Sequence, residues 1–326
     1  MKFGIIGTNF VSDFFMEGSK FVEECEVVAV CSGRYGNAIK FAEKYNIPNS
    51  FKSYEDMYEA GIIEAVYVAT PNAMHKDMTE YFLEKHIPVF CEKPMASNRD
   101  EVFSMIEASR KHNTYLQEGL IPLYNPNYLI LKESLDLVGP IRQVNLNFSK
   151  YSSRYDAYLN GENPTTFRSE LANGSMMDLG VYIFGFCIGL FGKPNRILSA
   201  ATLLDTGADV AGSSIFEYDG FIANLSYSKA STTDNYCEIC GEKGTLIIDQ
   251  PSNPRKLIFV DYKNNERKNL TVEVIDNFKY EIEEMIENVK KGKIESEKIP
   301  HSMSQDIHDV LTEARKQSGI VFPMDK

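Results

Sequence analysis

The stretch PVFCEKP, residues 88–94, places a short apolar run directly before two opposite charges and a proline. The apolar run, residues 89–91, suits a buried strand. Ligands of an open parallel sheet bind outside the carboxyl ends of its strands, where Lys93 would lie, and Pro94 restricts that lysine to an extended backbone. Either Lys93 faces a ligand, or it forms a surface ion pair with Glu92, the reading that the tripeptide alone favours.

Strands and helices alternate on both sides of this stretch. Further strands are predicted at residues 2–7, 27–31, 63–69 and 114–118, with helical stretches between them. Alternation at this spacing predicts a doubly wound parallel sheet, with helices on both of its faces. We therefore predict a first α/β domain over residues 1–120.

The remainder of the chain has a different pattern. Period-2 runs begin near residue 143 and follow one another to a last predicted strand at 269–274, mostly without helices between them. This pattern predicts a largely antiparallel open sheet with one covered face, in an α+β domain over residues 121–326. The other face, of mixed small and polar residues, is either solvated or a subunit interface. Closing helices are predicted near 277–289 and 302–316.

Length and charge limit the possible functions. A chain of 326 residues is long enough for about two domains. Its net charge of −12 argues against nucleic-acid binding, which requires a basic patch. We find no run of about 18 apolar residues and so predict no membrane span. Residues 1–8 are expected to form the first strand and not a signal peptide.

The cysteines indicate a reducing compartment. Cys31 and Cys91 lie in strand-like runs, where free buried thiols are expected, so we predict a cytoplasmic location. Cys237-x-x-Cys240 resembles a redox or zinc motif. On a strand, however, its two sulfurs would point to opposite faces, and no second Cys or His pair lies nearby. We predict no metal site.

The first strand leads into Gly7-Thr8-Asn9-Phe10-Val11-Ser12, at the start of a helical stretch. This is the position of a dinucleotide phosphate loop, although two of the three usual glycines are replaced. Asn9 tolerates positive φ better than other non-glycine residues. Ser12 is small enough for close packing of helix on strand. The loop is weak evidence alone, and its place between strand and helix strengthens it.

Two further loops are candidates for the cofactor. The second strand is followed by Ser32-Gly33-Arg34, without the acidic residue that usually binds the ribose of NAD. Arg34 is either a solvated loop charge or a clamp for a 2′-phosphate. After the next strand, Thr70-Pro71-Asn72 offers groups for phosphate or ribose, although Asn72 could equally cap the following helix. His75, at that helix start, is more often structural than catalytic.

A polar stripe interrupts an otherwise apolar helix in the second half. Gly174, Asp178 and Tyr182 stand four residues apart on one face, and Gly185 and Gly189 continue it. Either the stripe is functional, or the glycines allow close packing and Tyr182 is a core tyrosine.

These motifs together resemble the Gfo/Idh/MocA oxidoreductases, the family of glucose-fructose oxidoreductase and inositol dehydrogenase. GTNFVS, ATPNAMH, CEKP and ELANGSMMDLGVY follow the order and spacing of that family over nearly the whole chain. Glu92-Lys93-Pro94 is the most specific match, and Asp178-x-Gly180-x-Tyr182 matches the second family motif. Many members end that motif in histidine. The tyrosine is similar to the branch of dimeric dihydrodiol and xylose dehydrogenases, which use NADP.

The resemblance implies a Rossmann domain and an NAD(P)-dependent hydride transfer on a sugar, polyol or cyclic diol. It implies NADP as cofactor, with NAD possible, and a homodimer or homotetramer formed through the second sheet. Lys93 would stand beside nicotinamide and substrate, Tyr182 would exchange the proton, and Asp178 would bind the substrate or Lys93. The predicted cofactor-binding residues are Gly7, Thr8, Asn9, Phe10, Val11, Ser32, Arg34, Thr70, Pro71, Asn72, His75, Glu92 and Lys93.

One departure and one alternative follow from the resemblance. Leu123 stands where relatives often have arginine, which removes a polar contact from the predicted pocket. A protein of this fold could also bind the cofactor as a regulator or sensor without turnover, since fold alone does not determine function. The presence of both Lys93 and Tyr182 favours the enzyme.

Overall fold

A computed structural model describes all 326 residues, which form two compact units. The first unit comprises Met1–Gly119 together with Ile275–Ser304, and the second comprises Leu120–Val274 together with Gln305–Lys326. The change of unit after residue 119 falls where the sequence pattern changes. The stretch 275–304, which follows the second sheet in the chain, belongs to the first unit.

The first unit contains a six-stranded parallel sheet in the order β3-β2-β1-β4-β5-β6. Because the strand order reverses between β1 and β4, the loops after these two strands flank the switch point where such sheets bind ligands. The strands are β1 (Lys2–Ile6), β2 (Glu26–Cys31), β3 (Asn49–Phe51), β4 (Ala65–Val68), β5 (Val89–Glu92) and β6 (Leu116–Gly119). The predicted doubly wound α/β fold is confirmed, and β3 is a short strand that the sequence pattern did not predict.

Several helices of this unit begin at a residue whose side chain accepts a hydrogen bond from a backbone amide of the first turn. Asn98 caps one helix by accepting a hydrogen bond from the Glu101 amide, and Asn113 ends that helix in a left-handed conformation. The helices are α1 (Phe10–Ser19), α2 (Tyr35–Tyr45), α3 (Tyr54–Glu59), α4 (His75–Glu84), α5 (Arg99–His112) and, from the later stretch, α9 (Asn277–Lys290).

The second unit contains an eight-stranded sheet in the order β14-β13-β12-β11-β7-β10-β9-β8. All neighbouring pairs are antiparallel except β7 and β10, so the predicted largely antiparallel sheet is confirmed. The strands are β7 (Ile141–Ser149), β8 (Arg196–Leu203), β9 (Asp209–Tyr218), β10 (Phe221–Ser228), β11 (Cys237–Gly241), β12 (Gly244–Ile248), β13 (Leu257–Asp261) and β14 (Arg267–Asn269).

One predicted strand is wrong and two helices were missed. The strand predicted at 269–274 is β14 at Arg267–Asn269 instead, and the residues after it leave the sheet. The pattern was misread because alternation continues through a loop whose Thr271 amide bonds to the side chain of Asn269. The second unit has the helices α6 (Pro126–Glu133), α7 (Ser153–Leu159), α8 (Val181–Phe191) and the greater part of α10 (His301–Gln317). The two that were missed are α6 and α7.

The sheet of the second unit has one covered face and one open face. On β10, Ala223, Leu225 and Tyr227 are buried, whereas Ile222 is 45% exposed. The predicted period-2 alternation of this strand is therefore confirmed.

One segment of this unit, Ser169–Phe191, is long and apolar enough to span a membrane by length and composition alone, since an 18-residue window in it has a mean hydropathy of 1.6. Inside the fold, 78% of that window is buried, which is typical of the core helix of a globular domain. The expectation of no membrane span is therefore not overturned by this segment. Its apolar character is thus explained by packing on the covered face of the sheet.

Candidate active site

The turn after β1 brings the chain very close to the end of β4. Gly7 has a φ of +110°, and a Cβ atom at this position would lie 2.1 Å from the carbonyl oxygen of Ala69. Only glycine fits here, since both the backbone conformation and the space exclude a side chain. The close approach of this turn to Ala69 therefore explains why the predicted phosphate loop keeps a glycine at position 7.

Asn9 and Ser12 stand where the other two glycines are usual, and both stabilise the turn. The Asn9 side chain accepts a hydrogen bond from the Val11 amide at 2.9 Å and donates one to the Ala69 carbonyl at 2.8 Å. It thus caps α1 and links the loops after β1 and β4. The buried Ser12 hydroxyl donates to the Gly7 carbonyl at 3.0 Å. The reason given above for Asn9 is wrong, because its φ is −86°, and capping explains the residue instead.

The start of α1 offers backbone amides to an anion, as helix N-termini do. Thr8 is partly exposed before it, and Phe10 at its first position is 66% exposed. Val11 is partly exposed, although its amide is engaged by Asn9. The narrow turn at Gly7 and the open helix end fit the pyrophosphate of a dinucleotide. Contacts of these residues with the cofactor remain a prediction.

The loop after β2 carries an exposed arginine. The Ser32 amide donates to the Phe51 carbonyl at 3.2 Å, which ties the loop to β3. Arg34 directly precedes α2, is exposed, and makes no capping hydrogen bond with its side chain. Gly33 has open space around it. The guanidinium is thus available on the surface, which is compatible with both readings of Arg34.

The loop after β4 is joined to the loop after β5 by a buried histidine. The two ring nitrogens of His75 lie 2.8 Å from the Thr70 carbonyl oxygen and 3.0 Å from the Pro94 carbonyl oxygen. Burial lowers the pKa of His75, although these carbonyl groups act in the opposite direction. A neutral imidazole has one N–H and so donates to one of the two carbonyls. These contacts give His75 a structural role in holding the two loops together.

The remaining residues of the β4 loop lie at the surface of the same turn. Thr70 is partly exposed, and its hydroxyl lies 3.6 Å from the sulfur of Met78. Pro71 leads into a short 3₁₀ turn, Asn72–Met74, whose first residue is only 8% exposed. The prediction that this turn binds ribose or phosphate stays open.

Glu92 and Lys93 have different environments although they are neighbours. The Glu92 side chain is 6% exposed and accepts hydrogen bonds from the Tyr67 hydroxyl at 2.5 Å and from the Lys93 amide at 3.2 Å. Burial raises the pKa of Glu92 to about 7, against the Tyr67 hydrogen bond and the Lys93 charge, which lower it. Glu92 is thus buried, and a surface ion pair does not describe it. Lys93 is partly exposed at the end of β5, and the Lys93–Pro94 peptide is cis.

In the second unit, the motif Asp178-x-Gly180-x-Tyr182 lies on a π-helical turn. Residues Met176–Gly180 form this turn, and α8 continues from it. The predicted four-residue spacing along one α-helical face is therefore interrupted here. Turns of this kind occur often at functional sites. Asp178 and Tyr182 are both partly exposed, so neither is an enclosed core residue.

The ring of Tyr182 is held by an aromatic contact. It lies edge-on to Phe148 of β7, with ring centroids 5.6 Å apart and an interplanar angle of 79°. The later glycines of the stripe serve packing, because a Cβ at Gly185 would lie 2.3 Å from Leu120 and one at Gly189 would lie 2.2 Å from the Tyr128 hydroxyl. The polar part of the stripe is thus limited to the π turn and Tyr182.

A buried aspartate fixes the start of the π turn. Asp209, the first residue of β9, is fully buried and accepts a hydrogen bond from the Met176 amide at 2.7 Å. Its other carboxylate oxygen lies against Gly174, where a Cβ would be only 2.2 Å away. Burial raises the pKa of Asp209 from 3.8 to about 7, and backbone amides and the charge of Lys229 lower it.

A lysine that the sequence analysis did not single out completes this arrangement. Lys229 directly follows β10, is 6% exposed, and forms an ion pair with Asp178 through its ammonium group. Its backbone amide bonds to the carbonyl of Val210, next to Asp209. A buried lysine requires a charged partner. This rule alone could have pointed to Lys229 from the sequence, because Lys229 and Asp209 belong to no recognised motif.

The predicted site residues thus fall into two groups. The loops after β1, β4 and β5 are linked by the side chains of Asn9 and His75, and the loop after β2 carries Ser32 and Arg34. The second unit holds Asp178 and Tyr182 on and after the π turn. Leu123, noted above as a departure from relatives, is buried in the same unit and packs near Gly189.

Comparison with known proteins identifies the family of the chain. The oxidoreductase family with an NAD-binding Rossmann fold matches residues 1–120, and the GFO/IDH/MocA C-terminal domain matches residues 134–247. The chain belongs to the Gfo/Idh/MocA oxidoreductase family. The predicted family, the fold class and the assignment as an NAD(P)-dependent oxidoreductase are thereby confirmed.

Two relatives in this family and one solved structure are informative. The scyllo-inositol 2-dehydrogenase (NADP(+)) IolU of Bacillus subtilis is 37% identical and covers 100% of this chain and 99% of its own. A mouse trans-1,2-dihydrobenzene-1,2-diol dehydrogenase is 30% identical with the same coverage. The crystal structure of a 3-ketoreductase from Actinomadura kijaniata with NADP and TDP-benzene has a TM-score of 0.86 at 19% identity, over 98% of both chains.

The raised pKa of Asp209 predicts a pH-dependent stability. Because its folded-state pKa lies above the unfolded value, its contribution to the free energy of unfolding is full below about pH 4 and is lost as the pH rises through 7. Asp209→Asn keeps an acceptor for the Met176 amide and removes the ionisation. We expect the stability of this variant relative to wild type to rise by roughly 1–4 kcal/mol between about pH 5 and pH 8.

Urea unfolding at several pH values measures this difference. The exposed Asp234→Asn is the control and should leave the pH profile of wild type unchanged. Parallel profiles of Asp209→Asn and wild type would show that Asp209 does not ionise in this range.

Proposed function

We propose that this oxidoreductase transfers a hydride between NADP and a secondary alcohol, or the corresponding carbonyl, of a cyclic polyol or diol. The observation that carries the proposal is the presence of two sets of candidate groups in one chain. One is Lys93 at the carboxyl end of β5, and the other is Asp178 and Tyr182 at the π turn. The substrate class is supported by the relatives described above, one named for scyllo-inositol and one for a dihydrodiol.

The cofactor fits the residues of the first unit. The turn at Gly7 leaves a cradle that a single Cβ would fill, and the N-terminus of α1 opens beside it. Gly7, Thr8, Asn9, Phe10 and Val11 would hold the pyrophosphate, and the loops after β2, β4 and β5 would hold the remainder. When bound, the nicotinamide supplies the hydride chemistry, and the protein supplies orientation and proton transfer.

Lys93 and Tyr182 would handle the substrate oxygen. Oxidation of an alcohol requires that its hydroxyl proton leave, and Tyr182 would accept it; in the reverse direction Tyr182 would donate it. A free tyrosine has a pKa of about 10, so a neighbouring cation is needed to favour the phenolate near neutral pH. We propose that Lys93 is this cation and that it also polarises the substrate oxygen. Asp178 would bind a second substrate hydroxyl.

A regulator or sensor that binds the cofactor without turnover is the alternative. It would require neither an ionisable tyrosine nor a lysine at these positions. A screen of inositols, aldoses and cyclic diols with NADP and with NAD, read by the absorbance of the reduced cofactor, distinguishes the two functions. Turnover supports the enzyme, and cofactor binding without any turnover supports the regulator.

Two substitutions test the roles of Lys93 and Tyr182. Lys93→Met keeps the aliphatic stem without the charge, and Tyr182→Phe keeps the contact with Phe148 without the hydroxyl. We expect each variant to lose roughly 10²–10⁴-fold in kcat/KM, the usual size of positioned acid–base catalysis. Both should bind NADPH within about threefold of wild type and unfold at nearly the same temperature.

Steady-state kinetics, cofactor titration and thermal unfolding are measured on the same preparations. If Tyr182→Phe retained full activity and only lowered the unfolding temperature, Tyr182 would be a packing residue. If Lys93→Met retained kcat, its charge would have no part in the reaction.

We also propose that NADP is preferred over NAD. Ser32 and the exposed Arg34 stand in place of the acidic residue that would repel a 2′-phosphate. Arg34→Ala should reduce the difference in binding free energy between NADPH and NADH by about 1–3 kcal/mol, the range for hydrogen bonds to charged groups. Lys111→Ala removes another exposed charge of the same unit and is the control. Calorimetry that finds equal affinity of wild type for both cofactors would contradict the preference.

The open face of the second sheet supports a homo-oligomer, dimer or tetramer. Ile215 and Ile222 are 38% and 45% exposed there, and with Arg142 and Glu217 they line a groove of about 730 Å³. Exposed apolar residues beside polar ones are typical of protein interfaces. We expect light scattering to give at least twice the chain mass of 36.9 kDa, and Ile222→Lys to shift that mass towards the monomer. A monomeric wild type at micromolar concentration would contradict the proposal.

A cytoplasmic location is proposed on the chemistry of the cysteines. All six are free thiols, and four of them are buried. Free thiols are typical of proteins in reducing compartments.

A further inference from the structure

Lys229 is a buried lysine of the second unit whose ammonium group contacts Asp178, a candidate site residue. Its side chain is 8% exposed, and its ammonium group pairs with the Asp178 carboxylate, which is 42% exposed. An ammonium group removed from water is costly unless charged partners compensate it. The position of Asp178 is thus coupled to that of a residue anchored in the sheet.

Backbone hydrogen bonds fix Lys229 on both sides. Its amide donates to the Val210 carbonyl at 2.9 Å, and its own carbonyl accepts from the Ser152 amide at 2.9 Å. Strand β10, which ends one residue earlier, is paired along its full length with β7 and β9. The ammonium group therefore extends from a fixed backbone position and not from a flexible loop.

Asp209 approaches the same turn from the neighbouring strand. It binds the Met176 amide at the start of the turn, while Lys229 binds the side chain of Asp178 two residues later. The charge of Lys229 also acts on Asp209, as the direction of its effect on the Asp209 pKa shows. Tyr227 of β10 packs beneath Gly180, where a Cβ would lie 3.3 Å from its ring. Three side chains, from β9, from β10 and from the residue after β10, thus hold one π turn.

We propose that Lys229 is a positioning residue of the reaction, which acts through Asp178 and holds the π turn that carries Asp178 and leads to Tyr182. This role rests on the proposed function, because it assigns Lys229 to the orientation of a substrate-binding carboxylate. The ion pair with Lys229 fixes the direction of the Asp178 carboxylate, which in the proposed function binds a substrate hydroxyl.

Lys229→Met removes the ammonium group and keeps the stem that packs in the sheet. The variant is expected to fold, because the Asp178 carboxylate is 42% exposed and water can replace the lost ion pair. Lys193→Met is the matched control, since it removes an ion pair with Asp309 of the same unit, away from the π turn.

A double-mutant cycle with Asp178→Asn separates positioning from other roles. We expect Lys229→Met to lower kcat by about 10–100-fold, the loss that misplacement by roughly 1 Å produces, with KM and the Kd of NADPH changed less than about threefold. In the Asp178→Asn background, Lys229→Met should cause no further loss beyond about twofold. Wild-type kcat in Lys229→Met, or losses that multiply in the double variant, would overturn the proposal, and Lys193→Met should retain wild-type kinetics.

Amide hydrogen exchange provides a readout that does not depend on turnover. Exchange across 174–182 should become at least about threefold faster in Lys229→Met and remain unchanged in Lys193→Met. Unchanged exchange in Lys229→Met would overturn the holding role even if the protein proved to have no activity. If wild type showed no turnover but exchange became faster in Lys229→Met, the proposed function would be contradicted and the holding role of Lys229 would stand.

Discussion

The candidate cofactor site depends on hydrogen bonds that join three loops at the carboxyl ends of parallel strands. Asn9 ties the loop after β1 to Ala69, and His75 ties the loop after β4 to Pro94, beside Lys93. These side-chain links add to the backbone hydrogen bonds that join the same strand ends, such as the one from the Ala69 amide to the Ile6 carbonyl. Buried polar groups in such positions must be satisfied by partners, so the links fix the loops as a set and not one at a time.

In the second unit, a charged pair and a buried carboxylate hold the turn that carries Asp178. A helix apolar enough to be mistaken for a membrane segment carries a π turn with a partly exposed aspartate and is followed by a partly exposed tyrosine. The turn is held by Asp209 of β9 and by Lys229, which directly follows β10. The cost of burying the Lys229 ammonium group is offset by its pairing with Asp178, whereas burial raises the pKa of Asp209 despite its backbone hydrogen bond. Residues that are unfavourable for simple core packing therefore stabilise the turn that carries Asp178.

The sequence could predict the two sheets, the family and the two motifs, because strand periodicity and Glu92-Lys93-Pro94 are local features of the chain. It could not predict which residues hold the π turn. Lys229 meets Asp178 across 51 positions of sequence, and no spacing rule connects them. The π turn also escaped detection, because π and α turns have the same apolar composition. For Asn9, the position was identified correctly, but the physical cause was capping and not a positive φ.

We propose that this chain transfers a hydride between NADP and the carbinol carbon of a cyclic polyol or diol. The most direct test is to supply inositols and cyclic diols deuterated at their carbinol carbons, with oxidised NADP, and to examine nicotinamide C4 by NMR. We expect deuterium at C4, on a single face of the ring, because a bound cofactor and substrate meet in one orientation. Bound cofactor that acquires no deuterium from any of these compounds would contradict it.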